Sequence, residues 1–102
     1  MAEWKDVASV SGFEEGSRVI VKHSPFNIIV FNLKGEFYGI EDVCTHDGES
    51  LDGGDLEGEE IICPRHGAQF DIKTGKVIVS PATEDLKTFT CRVKDGRVQV
   101  QV

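Results

Sequence analysis

Two short motifs constrain the fold of this chain more than any other feature. Cys44-Thr45-His46 and Cys63-Pro64-Arg65-His66 each place one cysteine and one histidine close together, and sixteen residues separate the two motifs. Residues two or three apart in a tight loop can point the same way. If all four side chains bind one inorganic centre, the fold must bring two loops together at the ends of neighbouring strands.

The rest of the sequence predicts an all-β fold. Stretches of alternating or β-branched residues recur between turn signals. The strongest turn signal is Asp95-Gly96, which lies between two alternating runs and predicts a tight hairpin. The predicted strands are 19–22, 26–33, 36–41, 59–63, 87–94 and 97–102.

The third cysteine is interpreted as a core residue. Cys91 shares one face of a predicted strand with Phe89 and Val93, and a buried cysteine often behaves as a small hydrophobe. His23 lies at a strand end without a second nearby ligand, so it is assigned no role. Aromatic residues scattered over the strands are interpreted as packing: Trp4, Phe13, Phe26, Phe31, Phe37 and Tyr38.

Length and composition predict one domain, 1–102, with a ligand-bearing insert at about 43–68. The N-terminal residues lack a basic start and an apolar run, and no segment reaches the roughly 18 apolar residues of a membrane span, so we expect a cytoplasmic protein. The net charge of −7 disfavours nucleic acid and anionic membranes as partners. The stretch 47–62 contains seven acidic residues and no Lys or Arg, which fits either a docking surface for a basic partner or a solvated face.

The motifs themselves leave two metal centres open. One zinc ion accepts two cysteines and two histidines, although zinc sites usually group like ligands. A 2Fe-2S cluster explains the mixed motifs better, because Cys44 and Cys63 can bind one iron while His46 and His66 bind the other. Zinc would make the protein a structural interaction module, whereas the cluster would make it redox-active.

The sequence around these motifs resembles the Rieske family. Cys44-Thr45-His46 is followed by Gly48, and the second motif continues as Gly67-Ala68-Gln69-Phe70-Asp71. The resemblance covers nearly the whole chain. It implies an antiparallel β-sandwich or barrel base with a small subdomain of two loops, which hold one 2Fe-2S cluster through Cys44, His46, Cys63 and His66.

The resemblance also implies a low reduction potential. Two thiolates leave the oxidised centre nearly neutral, so histidine ligation raises the potential from about −400 mV into a window of roughly −150 to +300 mV. High-potential Rieske proteins have a disulfide between the loops where this chain has Glu49 and Arg65. They also have hydroxyl donors where this chain has Ala68 and Phe70, so we expect a potential near the bottom of the window.

The resemblance further implies an electron carrier rather than an enzyme. Rieske oxygenases add a mononuclear iron bound by two histidines and a carboxylate, and only His23 remains once His46 and His66 are used. The expected partners are a flavin-dependent ferredoxin reductase and the terminal oxygenase of an aromatic-ring dioxygenase system. We expect the carrier itself to be a monomer. The alternatives are the small Rieske subunit of a nitrite reductase, another monooxygenase system, or the zinc module.

Overall fold

The computed structural model describes residues 3–45, 48–65, 67–80 and 84–102. Within these ranges the chain forms eleven β-strands and one short 3-10 helix, Val10–Gly12. The strands are β1 Trp4–Ser9, β2 Arg18–Val21, β3 Ile28–Leu33, β4 Glu36–Glu41, β5 Leu56–Glu57, β6 Glu60–Ile62, β7 Gln69–Asp71, β8 Val77–Val79, β9 Thr88–Phe89, β10 Cys91–Lys94 and β11 Arg97–Gln101. The predicted all-β class is confirmed.

The strands form three antiparallel sheets. The first sheet has the order β1-β11-β10, the second β2-β3-β4-β9 and the third β5-β6-β7-β8. Every pairing between neighbouring strands is antiparallel. None of the helical structure in the described part of the chain has the length and apolar character of a membrane span.

Two-residue turns connect the best-predicted hairpins. Asp95 and Gly96 both have positive φ, 52° and 75°, and join β10 to β11. Lys34 and Gly35 do the same between β3 and β4, with φ of 56° and 88°. Positive φ at both central residues is the type I′ geometry whose twist matches that of the strands. The predicted hairpin at Asp95-Gly96 is therefore confirmed.

The predicted strand 87–94 divides into two. β9 pairs with β4 in the second sheet, whereas β10 pairs with β11 in the first sheet, and Thr90 lies between them. The chain thus passes from one sheet to the next at Thr90. Both strands keep the alternating pattern of a single run, so the local sequence carries no sign of the break.

β3 lies between two hydrophobic cores. All six of its residues are buried, and their side chains alternate between the two faces of the strand. Ile29, Phe31 and Leu33 enter the core that faces the third sheet, which we call the loop core. Ile28 and Val30 enter the core that faces the first sheet, which we call the base core.

The base core also receives residues from the last hairpin. Val98 and Val100 of β11 are fully buried there, and Cys91 packs against them. Burial raises the pKa of the Cys91 thiol to about 12. The interpretation of Cys91 as a packing residue is confirmed. The interpretation of Phe26 is wrong, because Phe26 lies in the bend before β3 and is 41% exposed.

The third sheet carries the loop that follows β6. It extends to Val79, beyond residue 68, where the sequence analysis ended the insert. β7 and β8 complete the sheet, so the residues after the second motif belong to the same structure as those before it. The division into a single domain, 1–102, with an insert at about 43–68 stays a prediction.

Candidate metal centre

The first cysteine motif forms a tight loop. Cys44 follows β4, and its amide donates a hydrogen bond to the Glu49 carbonyl at 2.6 Å. The Gly48 amide donates to the Cys44 carbonyl at 2.7 Å, which closes the loop from the other side. Gly48 has φ of 76°, a conformation that glycine adopts without steric cost. The loop therefore folds back within five residues and returns the chain close to Cys44.

The second cysteine motif repeats this arrangement. The Cys63 amide donates to the Ala68 carbonyl at 2.7 Å, and the Gly67 amide donates to the Cys63 carbonyl at 3.1 Å. Gly67 also has φ of 76°. The two loops have the same length and hydrogen-bond pattern, although the histidine follows its cysteine by two residues in one motif and by three in the other. Two equivalent loops can approach one centre from opposite sides.

Both cysteines point into one buried region. Cys44 is 0% exposed and Cys63 is 1% exposed, and both belong to the loop core. Leu51 and Phe70, fully buried, lie in the same core. Two thiols in a single apolar environment suit a metal centre with soft ligands and little water. Chemistry and burial therefore fit a cluster bound from the protein side by two thiolates.

The two predicted histidine ligands, His46 and His66, lie outside the described residues. Within the described ranges, no three His, Cys, Asp or Glu side chains come together as a metal site. The loop residues next to the histidines are at the surface, since Gly48, Arg65 and Gly67 are exposed. Each loop thus has a buried cysteine and, among its described residues, exposed neighbours of the histidine position.

Hydrogen bonds that the sequence analysis missed hold the first loop in place. One carboxylate oxygen of Asp42 accepts from the Ser50 hydroxyl at 2.7 Å, the Leu51 amide at 2.8 Å and the Asp52 amide at 3.0 Å. These bonds attach the segment after the loop to Asp42, the residue that follows β4. An Asx-type side chain near a turn is the sequence signal that could have drawn attention to Asp42.

A second contact attaches the first loop to a distant segment. The Thr45 hydroxyl donates to the Glu84 carbonyl at 2.6 Å. Leu86, two residues further on, is buried in the loop core. The Leu86 amide donates to the Gly75 carbonyl at 2.7 Å, which links the same segment to the turn between β7 and β8. This segment therefore contacts structures that carry both loops.

The positions predicted to lower the potential are deeply buried. Ala68 and Phe70 are both 0% exposed and share the loop core with the two cysteines. Neither side chain carries a hydrogen-bond donor. At these two positions the chain offers apolar contact and no hydroxyl group.

The acidic stretch 47–62 does not lie on one side of the loops. Glu57 and Glu59 flank Gly58 in the turn between β5 and β6, at the opposite end of that hairpin from Cys63. Glu59 forms an ion pair with Lys73 at 2.8 Å. Some of the acidic residues therefore lie away from the cysteine loops.

Fold and loops together define an all-β protein in which two equivalent loops place buried thiols in one apolar core. The family model of the Rieske [2Fe-2S] domain matches residues 3–90. The chain belongs to this family. Family membership decides between the two metal centres that the motifs left open, and the prosthetic group is one Rieske-type 2Fe-2S cluster.

Individual relatives agree with this assignment. The ferredoxin component of naphthalene 1,2-dioxygenase/salicylate 5-hydroxylase systems from Ralstonia sp. is 36% identical over 97% of this chain and 95% of its own length. A ferredoxin of Sphingomonas yanoikuyae B1 superposes with a TM-score of 0.87 at 30% identity, covering 98% of this chain and 99% of its own. The predicted class of ferredoxin-type electron carrier is confirmed.

A third relative is seen with a partner. A chain from the complex of reduced oxygenase and oxidized ferredoxin in carbazole 1,9a-dioxygenase superposes with a TM-score of 0.90 at 37% identity. The match covers 95% of this chain and 91% of that one. A ferredoxin similar to this chain is therefore seen in complex with the oxygenase of that system.

Proposed function

We propose that this chain carries single electrons from a flavin-dependent ferredoxin reductase to the terminal oxygenase of an aromatic-ring dioxygenase system. The observation that carries the proposal is the pair of equivalent loops, each with a buried cysteine and exposed described residues near its histidine position. The relatives named as ferredoxin components of such systems support the choice of partners. In this proposal the carrier is a cytoplasmic monomer, as the sequence analysis expects.

The proposed ligands are Cys44 and Cys63 for one iron and His46 and His66 for the other. When bound, the cluster accepts and releases one electron at a time. Cys44 and Cys63 supply thiolates from inside the loop core, where Leu51 and Phe70 exclude water. Burial on this side leaves the histidine side of the cluster as the proposed route for the electron to a partner.

The proposed potential lies near the bottom of the Rieske window, below zero millivolts. Reduction adds a negative charge to the cluster, so hydrogen bonds to its sulfurs favour the reduced state. Ala68 and Phe70 donate no such bonds. A low potential suits a carrier that must reduce an oxygenase.

Electron delivery is tested by stopped-flow spectroscopy. The oxidised protein is mixed anaerobically with NADH and a flavin-dependent reductase of an aromatic-ring dioxygenase system, and bleaching of the cluster is followed. The reduced protein is then mixed with the oxidised terminal oxygenase. We expect reduction in the first step and reoxidation in the second. Failure of the oxygenase to reoxidise the reduced carrier would contradict the proposed partner and leave the alternative systems.

The ligand set is tested by alanine substitution at each proposed position. Cys44→Ala, Cys63→Ala, His46→Ala and His66→Ala should each lose the Rieske spectrum and most of the iron and sulfide. Cys91→Ala is the matched control, because Cys91 packs against the base core. We expect the control to keep a full complement of iron. A spectrum unchanged in any of the four ligand variants would contradict the assignment.

A further inference from the structure

Arg18 connects β2 to the segment behind the second cysteine loop. Its Nη2 donates to the Gly54 carbonyl at 2.8 Å, thirty-six residues along the chain. Its guanidinium carbon lies 5.3 Å from the centroid of the Phe31 ring, a distance typical of a cation–π contact. Phe31 is fully buried in the loop core, together with both cysteines. The cation is thus held at the edge of the apolar core that contains both cysteines.

The charge of Arg18 has no carboxylate partner among the described residues. Its Nη1 is buried and has no hydrogen-bond partner there. No described Asp or Glu forms an ion pair with it, although the chain contains eighteen acidic residues. A partly buried cation without a counter-ion carries a desolvation cost. Such a charge is best compensated by negative charge elsewhere in the same region.

A short series of contacts leads from Arg18 to Cys63. Gly54 packs against the backbone of Ile62 so closely that a Cβ at Gly54 would lie 2.1 Å from the Ile62 carbonyl oxygen. The Ile62 amide also donates to the Asp55 carbonyl at 3.0 Å. Ile62 directly precedes Cys63 in the chain. Through these contacts Arg18 holds Gly54 against the backbone of Ile62, the residue before the second loop.

We propose that Arg18 is a positioning residue for the cluster and that its charge raises the reduction potential. Reduction adds one negative charge to the centre, and a nearby cation in a region of low dielectric stabilises that charge. The same side chain holds Gly54 against β6 and so fixes the backbone that precedes Cys63. This inference rests on the cluster assignment and is independent of the identity of the partner proteins.

The test compares midpoint potentials of the holoprotein and its variants at one ionic strength. Arg18→Met removes the charge but keeps much of the apolar stem. We expect the equilibrium constant for reduction to fall threefold or more, at about 59 mV per tenfold change for a one-electron couple. Arg18→Lys keeps the charge without the planar fork, so its potential should stay within threefold of the wild-type value while cluster loss becomes faster.

Arg92→Met is the matched control. Arg92 stacks on the Trp4 ring at 4.0 Å and donates to Gln99 in the first sheet, so its removal changes the net charge equally without touching the loop core. We expect its potential to match that of the wild type. An equal potential in Arg18→Met and the wild type, or an equal shift in the two Met variants, would overturn the charge effect.

If Arg18→Met loses the cluster, its potential cannot be measured, and Arg18→Gln takes its place. Arg18→Gln keeps an N–H donor for Gly54 and should show the same negative shift of the potential. If both neutral variants lose the cluster while Arg18→Lys and Arg92→Met retain it, the charge of Arg18 holds the cluster, and its hydrogen bond to Gly54 alone does not. If Arg18→Lys loses the cluster as fast as the neutral variants, the charge does not contribute. None of these measurements involves electron delivery to an oxygenase, so the proposed partners are tested separately.

Discussion

Asp42 provides the sharpest test of how the first loop is stabilised. In Asp42→Ala, three donors lose the carboxylate oxygen that they share. The partly buried Leu51 amide loses its acceptor at a cost of about 1–3 kcal/mol. The exposed Ser50 and Asp52 donors bind water instead, with smaller losses. The free energy of unfolding should therefore fall by about 2–4 kcal/mol in total. At about 4 °C per kcal/mol for a domain near 100 residues, the Tm should fall by roughly 8–16 °C.

The assay is thermal unfolding of the oxidised holoprotein at neutral pH, followed by circular dichroism and by the visible absorption of the cluster. Ser50→Ala removes one of the three bonds, and Asp42→Asn keeps a neutral acceptor of the same shape, so both should lose less stability than Asp42→Ala. The cluster should also be lost faster in Asp42→Ala. A Tm within 2 °C of the wild-type value for Asp42→Ala would refute this reasoning, since it would mean that the three hydrogen bonds contribute nothing.

Three further predictions concern the loop core, the turn after β7 and the third cysteine. Phe70→Tyr introduces a donor beside the cysteines and should raise the midpoint potential in a redox titration; a lower value would contradict the account of the low potential. Gly75→Ala should lower the free energy of unfolding in urea by about 1–3 kcal/mol more than Gly35→Ala. Both glycines have positive φ, but a Cβ meets the Leu86 carbonyl oxygen at 2.3 Å only at Gly75. Burial raises the pKa of the Cys91 thiol from 9.0 to about 12. Cys91 should therefore react with iodoacetamide at pH 8 about a thousandfold more slowly in the folded protein than in the urea-unfolded chain. Mass spectrometry measures both rates, and equal rates would refute the burial of Cys91.

The sequence predicts the features that depend on local chemistry. The hairpin at Asp95-Gly96 follows from turn residues and alternation, and both are properties of adjacent residues. The metal centre follows from ligand types and spacing, which suffice to favour a mixed centre over a zinc site. Family resemblance adds the cofactor and the role of the protein.

Features that depend on tertiary contacts were not predicted. β7 and β8 have three residues each, with an irregular register between Gln69 and Phe70, so they are too short for a periodic signal. The break at Thr90 and the exposure of Phe26 both depend on which sheet accepts each strand. The roles of Asp42 and Arg18 depend on partners brought close only by folding.

The central claim is that the chain holds a 2Fe-2S cluster with mixed cysteine and histidine ligation at low potential. The most direct test is a potentiometric titration of the purified protein at neutral pH, followed by electron paramagnetic resonance and visible absorption. This account predicts a Rieske-type signal in the reduced protein and a midpoint below zero millivolts. A colourless, redox-silent protein that retains zinc after expression with ample iron would contradict the cluster, and a midpoint above zero would contradict the roles given to Ala68 and Phe70.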